Sequence, residues 1–371
     1  MSLEFAHSPR GTVGLEWEVA LVDLETRDLV PRASEVLESL PDGTRTTGEY
    51  LACMVEMITG VHRTIPAAVA DLREQLDALH AAVRPLGLGV LAAGTHPFAV
   101  AAEQPIVEHQ QYDVVRKRNA WWGRQMLVCG THVHVGVDRD DIAMPMVQWL
   151  SRFYPHLLAL SASSPFFEGD DTGFASQRTM LFQQLPTNGL PYAFRTWADY
   201  AEHLDELAAV GMIGKPSELR WDVRPSPGFG TVEARIMDSS PTLAELGCVA
   251  AWVQCLGVHL MRLADAGADP APAPRWFLRE NKWRAARYGL DAEIVQQGER
   301  RALRDSIADW WGRLAPLADE LGCRAELDLT GRLLDEGPSY VRQRTVASQH
   351  GGSLEPVVDA LVHETITGRP T

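Results

Sequence analysis

The chain has 371 residues, 46% of them hydrophobic, enough to bury a large core in one domain or two. Its 34 Lys and Arg against 49 Asp and Glu give a formal charge of −15. That excess argues against a nucleic-acid or anionic-membrane partner, since both need clustered cations.

The opening "MSLEFAHSPRG" lacks the charged and apolar regions of a signal peptide, and a cytoplasmic location is expected. "TVGLEWEVALV" (12–22) then reads as a strand. Val13, Leu15, Trp17, Val19 and Leu21 share one face, and Gly14, Glu16 and Glu18 the other. Unpaired carboxylates are costly to bury, so the second face must meet water, cationic side chains or metal ions. In "TTGEYLACMVEMITG", Glu49 and Glu56 lie seven residues apart, a spacing that a helix returns to nearly one face. A helical turn running into a strand would serve as well.

After Pro66, Leu72, Leu76, Leu79 and Val83 recur at helical spacing. "LVCGTHVHVGV" (127–137) is a second strand, with His132, His134 and Gly136 opposite Val133, Val135 and Val137. Residues 142–163 form an apolar helix pattern. "TVEARIM" (231–237) is a third strand, pairing Glu233 with Arg235 on one face. A helix over 242–264 opens on "TLAE", a capping box at Thr242 and Glu245. The Ala/Pro/Gly-rich stretch 264–276 reads as a long loop, and further helices are expected over 292–320 and 354–366. No apolar run reaches the roughly 18 residues of a membrane span. The cysteines (Cys53, Cys129, Cys248, Cys255, Cys323) form no CxxC pair, which fits packed, reduced thiols.

Three strands thus repeat one design, an apolar face backed by two ionisable residues at i and i+2. The simplest assembly is an α+β protein whose sheet has helices on one face and an active site on the other. Glu16, Glu18, Glu49, Glu56, Glu233 and His132 would then form an oxygen-rich cage suited to Mg²⁺ or Mn²⁺. No phosphate-cradling GxxxxGK[ST], HExxH zinc helix or GxSxG nucleophile elbow occurs. Nucleotide phosphates would have to rest on metal ions and on cations. The candidates are Arg124, Arg178, and Lys282, Arg284 and Arg287 of "RENKWRAARYGLDA".

"GLEWEVALVD", "GEYLACMVEMITG", "AAGTHPF", "GTHVHVGV", "SSPFFEGDDTGFASQR", "WDVRPSP" with "GTVEARIMD", and "ENKWRAARYGL" occur in this order. Together they resemble the YbdK-type carboxylate–amine ligases, or type 2 glutamate–cysteine ligases, in their actinobacterial form. The resemblance implies one catalytic domain over 1–371 with a glutamine-synthetase-like fold, its antiparallel sheet curved into a funnel with helices outside. It implies ATP as co-substrate, Mg²⁺ on the six cage residues, and Arg235 on the acyl substrate or the transferring phosphoryl group. Arg235, Glu18 and Glu233 are the expected catalytic residues, with a glutamate-like carboxylate and a cysteine-like amine as substrates. The expected reaction is amide formation through an acyl phosphate, with weak glutamate–cysteine ligase activity. A phosphotransferase or ATPase without amine joining and a non-catalytic metal–nucleotide sensor are the rivals. A homodimer is left open.

Overall fold

A computed structural model describes residues 3–108, 110–268, 273–296 and 298–369. Its main sheet has seven antiparallel strands: β1 (Val13–Asp23), β2 (Thr46–Gly48), β3 (Met54–Ile58), β4 (Leu88–Leu91), β5 (Gly130–Gly136), β6 (Val223–Ser226) and β7 (Thr231–Asp238). The order is β6-β7-β5-β1-β3-β2, and β4 pairs with the end of β1. The long β1 is the spine. Its first half lies between β5 and β3, and its last residues turn to β4.

Alternation along the strands sets the two faces. Val13, Leu15, Trp17, Val19 and Leu21 are buried together with Val133, Val135, Val232, Ala234 and Ile236. Helices Ile65–Val83, Ala143–Leu150, Tyr154–Ser161 and Leu243–Asp265 pack over these strands. On the last helix, Gly257 lets the sheet approach closely. A Cβ there would stand 3.0 Å from Val135 and 2.9 Å from Met146. The buried Trp17 indole is satisfied by donating to the Ser240 carbonyl at 3.1 Å.

The Leu243–Asp265 helix is long and apolar enough to cross a membrane, which the run-length reading of the sequence misses. It lies inside this fold, 89% of its most apolar window buried, as the core helix. The Ile65–Val83 helix forms as expected, with Pro66 in its first turn. All five cysteines are buried and unpaired, although the fold brings the Cys255 and Cys323 sulfurs to 3.7 Å.

Three elements differ from their sequence patterns. Residues 49–56 are not helical. Thr46–Gly48 pairs with Met54–Ile58 through a turn at Leu51, which is buried in the core. The 142–163 pattern splits into Ala143–Leu150 and Tyr154–Ser161 around a 3₁₀ turn at Ser151–Phe153. Pro155 has no N–H to continue the first helix, and the Ser151 hydroxyl donates back to the Val147 carbonyl at 2.7 Å. The helix expected from 292 begins at Leu303, because Glu293–Gln296 and Glu299–Ala302 pair as a hairpin. Asn281 pins that hairpin through both polar atoms of the Val295 backbone, at 2.7 and 2.8 Å. Part of the 264–276 stretch lies outside the described residues.

Thr242 caps the core helix by accepting from the Glu245 N–H at 3.1 Å. The Glu245 carboxylate does not complete the box but takes the Thr242 hydroxyl at 3.0 Å and Arg342 at 2.8 Å. Arg342 also holds Glu364 through two contacts of 2.9 Å, so one guanidinium, 14% exposed, ties the C-terminal helices to the core. Replacing Arg342→Met leaves both carboxylates without it and should cost about 3–5 kcal/mol in urea unfolding near neutral pH. Burial already raises Glu245 against the pull of Arg342, so without the guanidinium it takes up a proton more readily and the deficit must shrink as pH falls. A penalty that is flat with pH would show that the guanidinium acts by packing alone.

Candidate active site

Cross-strand register assembles the polar face. Glu16 lies opposite His132, Glu18 opposite Glu56, and Glu233 between His134 and Arg224. The register slips between Ala234 and Met237, a bulge that contains Arg235. Glu49, just past β2, completes the acidic group, and its carboxylate accepts from the Tyr50 N–H at 2.9 Å. The six cage residues named from the sequence are therefore neighbours.

Glu16 takes the Nδ1–H of His132 at 2.8 Å and Nε2 of His134 at 3.1 Å. Burial opposes its ionisation, but these imidazole contacts outweigh burial and hold its carboxyl well below the usual range. Burial, with help from Arg235, brings His132 down to about 4, so its ring is neutral. Because Glu16 can only accept, the proton sits on Nδ1 and the Nε2 lone pair is left over. That atom is buried without a hydrogen-bond partner and stands 3.6 Å from Glu18 Oε1. His134 behaves oppositely. Burial works against its charge, yet Glu233 and Glu16 raise it above its ordinary value.

Glu18, Glu49 and Glu56 face one another. Burial, then the Glu49 charge, pushes Glu18 up to about 8, and burial raises Glu49. Glu56 is pushed well up by burial and by all three neighbouring carboxylates. Two triads, Glu18/Glu49/Glu56 and Glu16/Glu56/His132, each bring ligand atoms within 4.8 Å of one another. Suppressed carboxylates beside an orphan imidazole lone pair fit a hard divalent cation. A third triad, Glu16/His134/Glu233, fits less well. There Glu233 already accepts from Arg224 Nε at 2.7 Å and from Arg235, whose charges overcome burial and keep it ionised.

Across a cavity of about 290 Å³ stands a cationic wall of Arg178, Arg220, Arg224, Arg235 and Lys215. Arg178 and Arg220 have no carboxylate within ion-pair distance among the described residues. Burial, then Arg235 and Arg224, lowers the Arg220 pKa, the mark of a guanidinium that lacks an anion. Tyr50, Tyr112, Val128 and Phe182 add a less polar side.

Arg178 is placed by a buried network. Asp238 accepts from the Ser163 N–H at 3.0 Å and from the Ser164 and Ser176 hydroxyls at 2.7 Å each. The Ser164 oxygen in turn accepts from the Arg178 N–H at 3.1 Å. Gly94 must be glycine here, since a Cβ would lie 2.7 Å from the Asp238 carboxylate.

Four expected phosphate contacts are not at the cavity. Arg124 is exposed at the end of the Gln110–Arg124 helix. Lys282 is buried against Asp222 at 2.7 Å. Arg284 pairs with Glu280 at 2.7 Å, and Arg287 binds the Gly173 carbonyl and lies over Phe174. Ranking cations by local density selects a helix whose basic residues point to different partners. The residues missed are Arg220, Arg224, Lys215 and His134. "RWDVR" carries a usable signal, because Arg220, Asp222 and Arg224 alternate with Trp221 and Val223 as in the other strands.

Comparisons with known proteins give the family and the fold. A Leifsonia xyli relative, provisionally named glutamate–cysteine ligase 2, is 48% identical over 99% of each chain. A Nocardia farcinica relative with the provisional name glutamate–cysteine ligase 2-2 is 47% identical over 98% of each. Among solved structures, a Francisella tularensis glutamate–cysteine ligase in complex with AMP superposes with a TM-score of 0.70 at 14% identity. It covers 98% of this chain and 90% of its own. A bifunctional glutathione synthetase from Pasteurella multocida gives 0.71 at 14% identity, covering 96% of this chain and 52% of its own. The fold is thus the α+β, glutamine-synthetase-like ligase fold that the motifs imply. The model of glutamate–cysteine ligase family 2 matches residues 12–360, and the chain belongs to that family.

Proposed function

We propose that this chain is an ATP-dependent carboxylate–amine ligase acting as one catalytic domain in a reducing, cytoplasmic setting. The observation that carries this reading is one cavity with protonation-prone carboxylates on one side and, on the other, two guanidiniums, Arg178 and Arg220, that no described carboxylate pairs with. Glu18, Glu49 and Glu56, and Glu16, Glu56 and His132, would hold Mg²⁺ or Mn²⁺. When bound, such ions neutralise phosphate charge and make the γ-phosphorus more electrophilic.

The chain's own residues then do the positioning. In the first step a substrate carboxylate oxygen bonds to the γ-phosphorus of ATP, the bond to ADP breaks, and an acyl phosphate forms. In the second, an amine nitrogen bonds to the acyl carbon, inorganic phosphate leaves, and the amine loses a proton. Arg235, with Arg178 and Arg220, stabilises the oxygens of the transferring group, a task suited to a planar fork. Glu233 acts through the two guanidiniums it fixes. Glutamate is the default acid and cysteine the default amine, on the strength of the relatives' names.

With Mg²⁺, ATP and glutamate, hydroxylamine should trap the acyl phosphate as a hydroxamate while ADP accumulates. Cysteine in its place should give the dipeptide, slowly. Glu18→Gln should give neither product. ADP without hydroxamate across a broad carboxylate panel would move the chain to the phosphotransferases, and no ADP at all would make it a sensor.

Arg235→Lys keeps the charge but loses the fork, and should lower kcat/KM for the carboxylate by about 10- to 100-fold, or about 1.5–3 kcal/mol. An unchanged value removes Arg235 from substrate contact.

The raised carboxylates also set a pH dependence that needs no turnover. Glu18 titrates at about 8 in the metal-free fold against roughly 4.3 unfolded. Its protonated form therefore stabilises the metal-free protein at low pH, and that contribution is lost as pH rises through 8. A divalent ion replaces those protons, so the Tm gain on adding Mn²⁺ should be larger near about pH 8.5 than near about pH 6. A gain that is equal at both, or greater at the lower pH, contradicts the carboxylate assignment.

A further inference from the structure

Asn188 lines the cavity between the carboxylates and the cationic wall, beside Arg220 and Ser217, and the two reaction steps give it no part. A short parallel pairing places it. Asn188 lies opposite Arg220 in register, and the Arg220 N–H donates to the Thr187 carbonyl at 2.9 Å. The turn behind it closes where the Asn188 N–H meets the Leu185 carbonyl at 3.0 Å.

The carboxamide has one orientation. Only its NH₂ end can donate, and that end donates to the Phe182 carbonyl at 3.0 Å, so Oδ1 is left over. That oxygen is buried without a hydrogen-bond partner. Arg178 Nε and Arg235 Nε, on the same cavity, are also buried without partners, but both are donors. Among the described residues that line the cavity, Asn188 alone leaves a buried acceptor unpaired. An acceptor is out of place on a wall of guanidiniums that meets only phosphate and carboxylate oxygens. Facing lone pairs repel, and an acceptor still unpaired in the complex keeps its desolvation cost. The combination suits a ligand with an N–H next to its anionic group. An α-amino acid is the simplest such ligand, its ammonium donating to Oδ1 and its carboxylate meeting the cationic wall.

We propose that Asn188 is a specificity-determining residue whose Oδ1 accepts a hydrogen bond from the ammonium of an α-amino acid substrate. It selects that substrate over the same molecule without the amino group. The assignment rests on the ligase reading for the reaction and narrows its substrate class from carboxylates in general to amino acids.

Calorimetric titration of the full chain, loaded with Mg²⁺ and a β,γ-imido analogue of ATP, tests this without turnover. Each amino acid is compared with its des-amino form: glutamate with glutarate for the acid, cysteine with 3-mercaptopropionate for the amine. The wild-type chain should bind at least one amino form about tenfold or more tighter than its des-amino form. In Asn188→Leu, which removes the acceptor, that gap should fall to about twofold or less through weaker binding of the amino form. Asn188→Asp loses the donor that holds the Phe182 carbonyl but keeps an acceptor, so it should retain the gap. If Asn188 only braces the turn at Phe182, Asn188→Asp loses the gap as well, and that result overturns the proposal. The wild-type and Asn188→Asp arms decide even where Asn188→Leu does not fold. A wild-type chain that binds both members of each pair alike, or binds none at about 10 mM, also overturns it. So does a variant that loses affinity for the ATP analogue and keeps the gap, which gives the acceptor to the purine amine. Hydroxamate formation, scored separately, tests the ligase reading. A gap that depends on Asn188 without hydroxamate sinks that reading alone, and equal hydroxamate from glutamate and glutarate with no gap sinks the Asn188 assignment alone.

Discussion

Glu18, Glu49 and Glu56 crowd one end of a sheet face, and their charges cannot coexist there without positive charge between them. The rest of the site answers that constraint. Part of the compensation is built in: Glu16 is held by the His132 and His134 rings, and Glu233 is shared by Arg224 and Arg235. The remainder is left to protons or to an ion from solution. The site is thus a set of deficits arranged in space, acid in excess on one wall and guanidinium in excess on the other. A nucleotide carrying divalent ions would meet both deficits together.

Buried contacts behind the cavity walls make the arrangement rigid. Lys282 neutralises Asp222, whose backbone carbonyl takes the Arg235 N–H at 2.7 Å, next to the strand that bears Arg224. Asp238 gathers three serines behind Arg178. Motifs that look like separate signatures along the chain therefore converge in space. "AAGTHPF", "SSPFF…SQR" and "RIMD" meet at one buried carboxylate, Asp238, which fixes the segments that carry Arg178 and Arg235.

How much of this is legible in the sequence depends on separation along the chain. The two faces of β1, β5 and β7 follow from strict alternation, a local property, so Glu16, Glu18, His132 and Glu233 group together on pattern alone. Glu49 and Glu56 group by helical spacing for the wrong reason, since a hairpin brings them together as well as a helix would. The cations are harder. Whether Lys282 meets a phosphate or Asp222 depends on how a late helix docks on a distant strand, and local density of charge is silent on that. The split near Ser151 and the hairpin at 293–302 escape a reading in which apolar spacing outweighs Pro155 and the Asn281 clamp. His134 is visible on the same strand face as His132, and only its partners distinguish their protonation.

The alternation of β1 also governs which changes this gene can tolerate. Substitutions along the strand alter one contact at a time, but losing or gaining a single codon between Val13 and Leu21 would rotate every later side chain by half a turn. Trp17 and Val19 would then enter the polar cavity, and Glu16 or Glu18 would enter the layer under the Leu243–Asp265 helix. Length variation among natural relatives should accordingly be absent from this segment. It should collect instead in exposed turns such as Gly351–Gly352, where an extra residue moves nothing behind it.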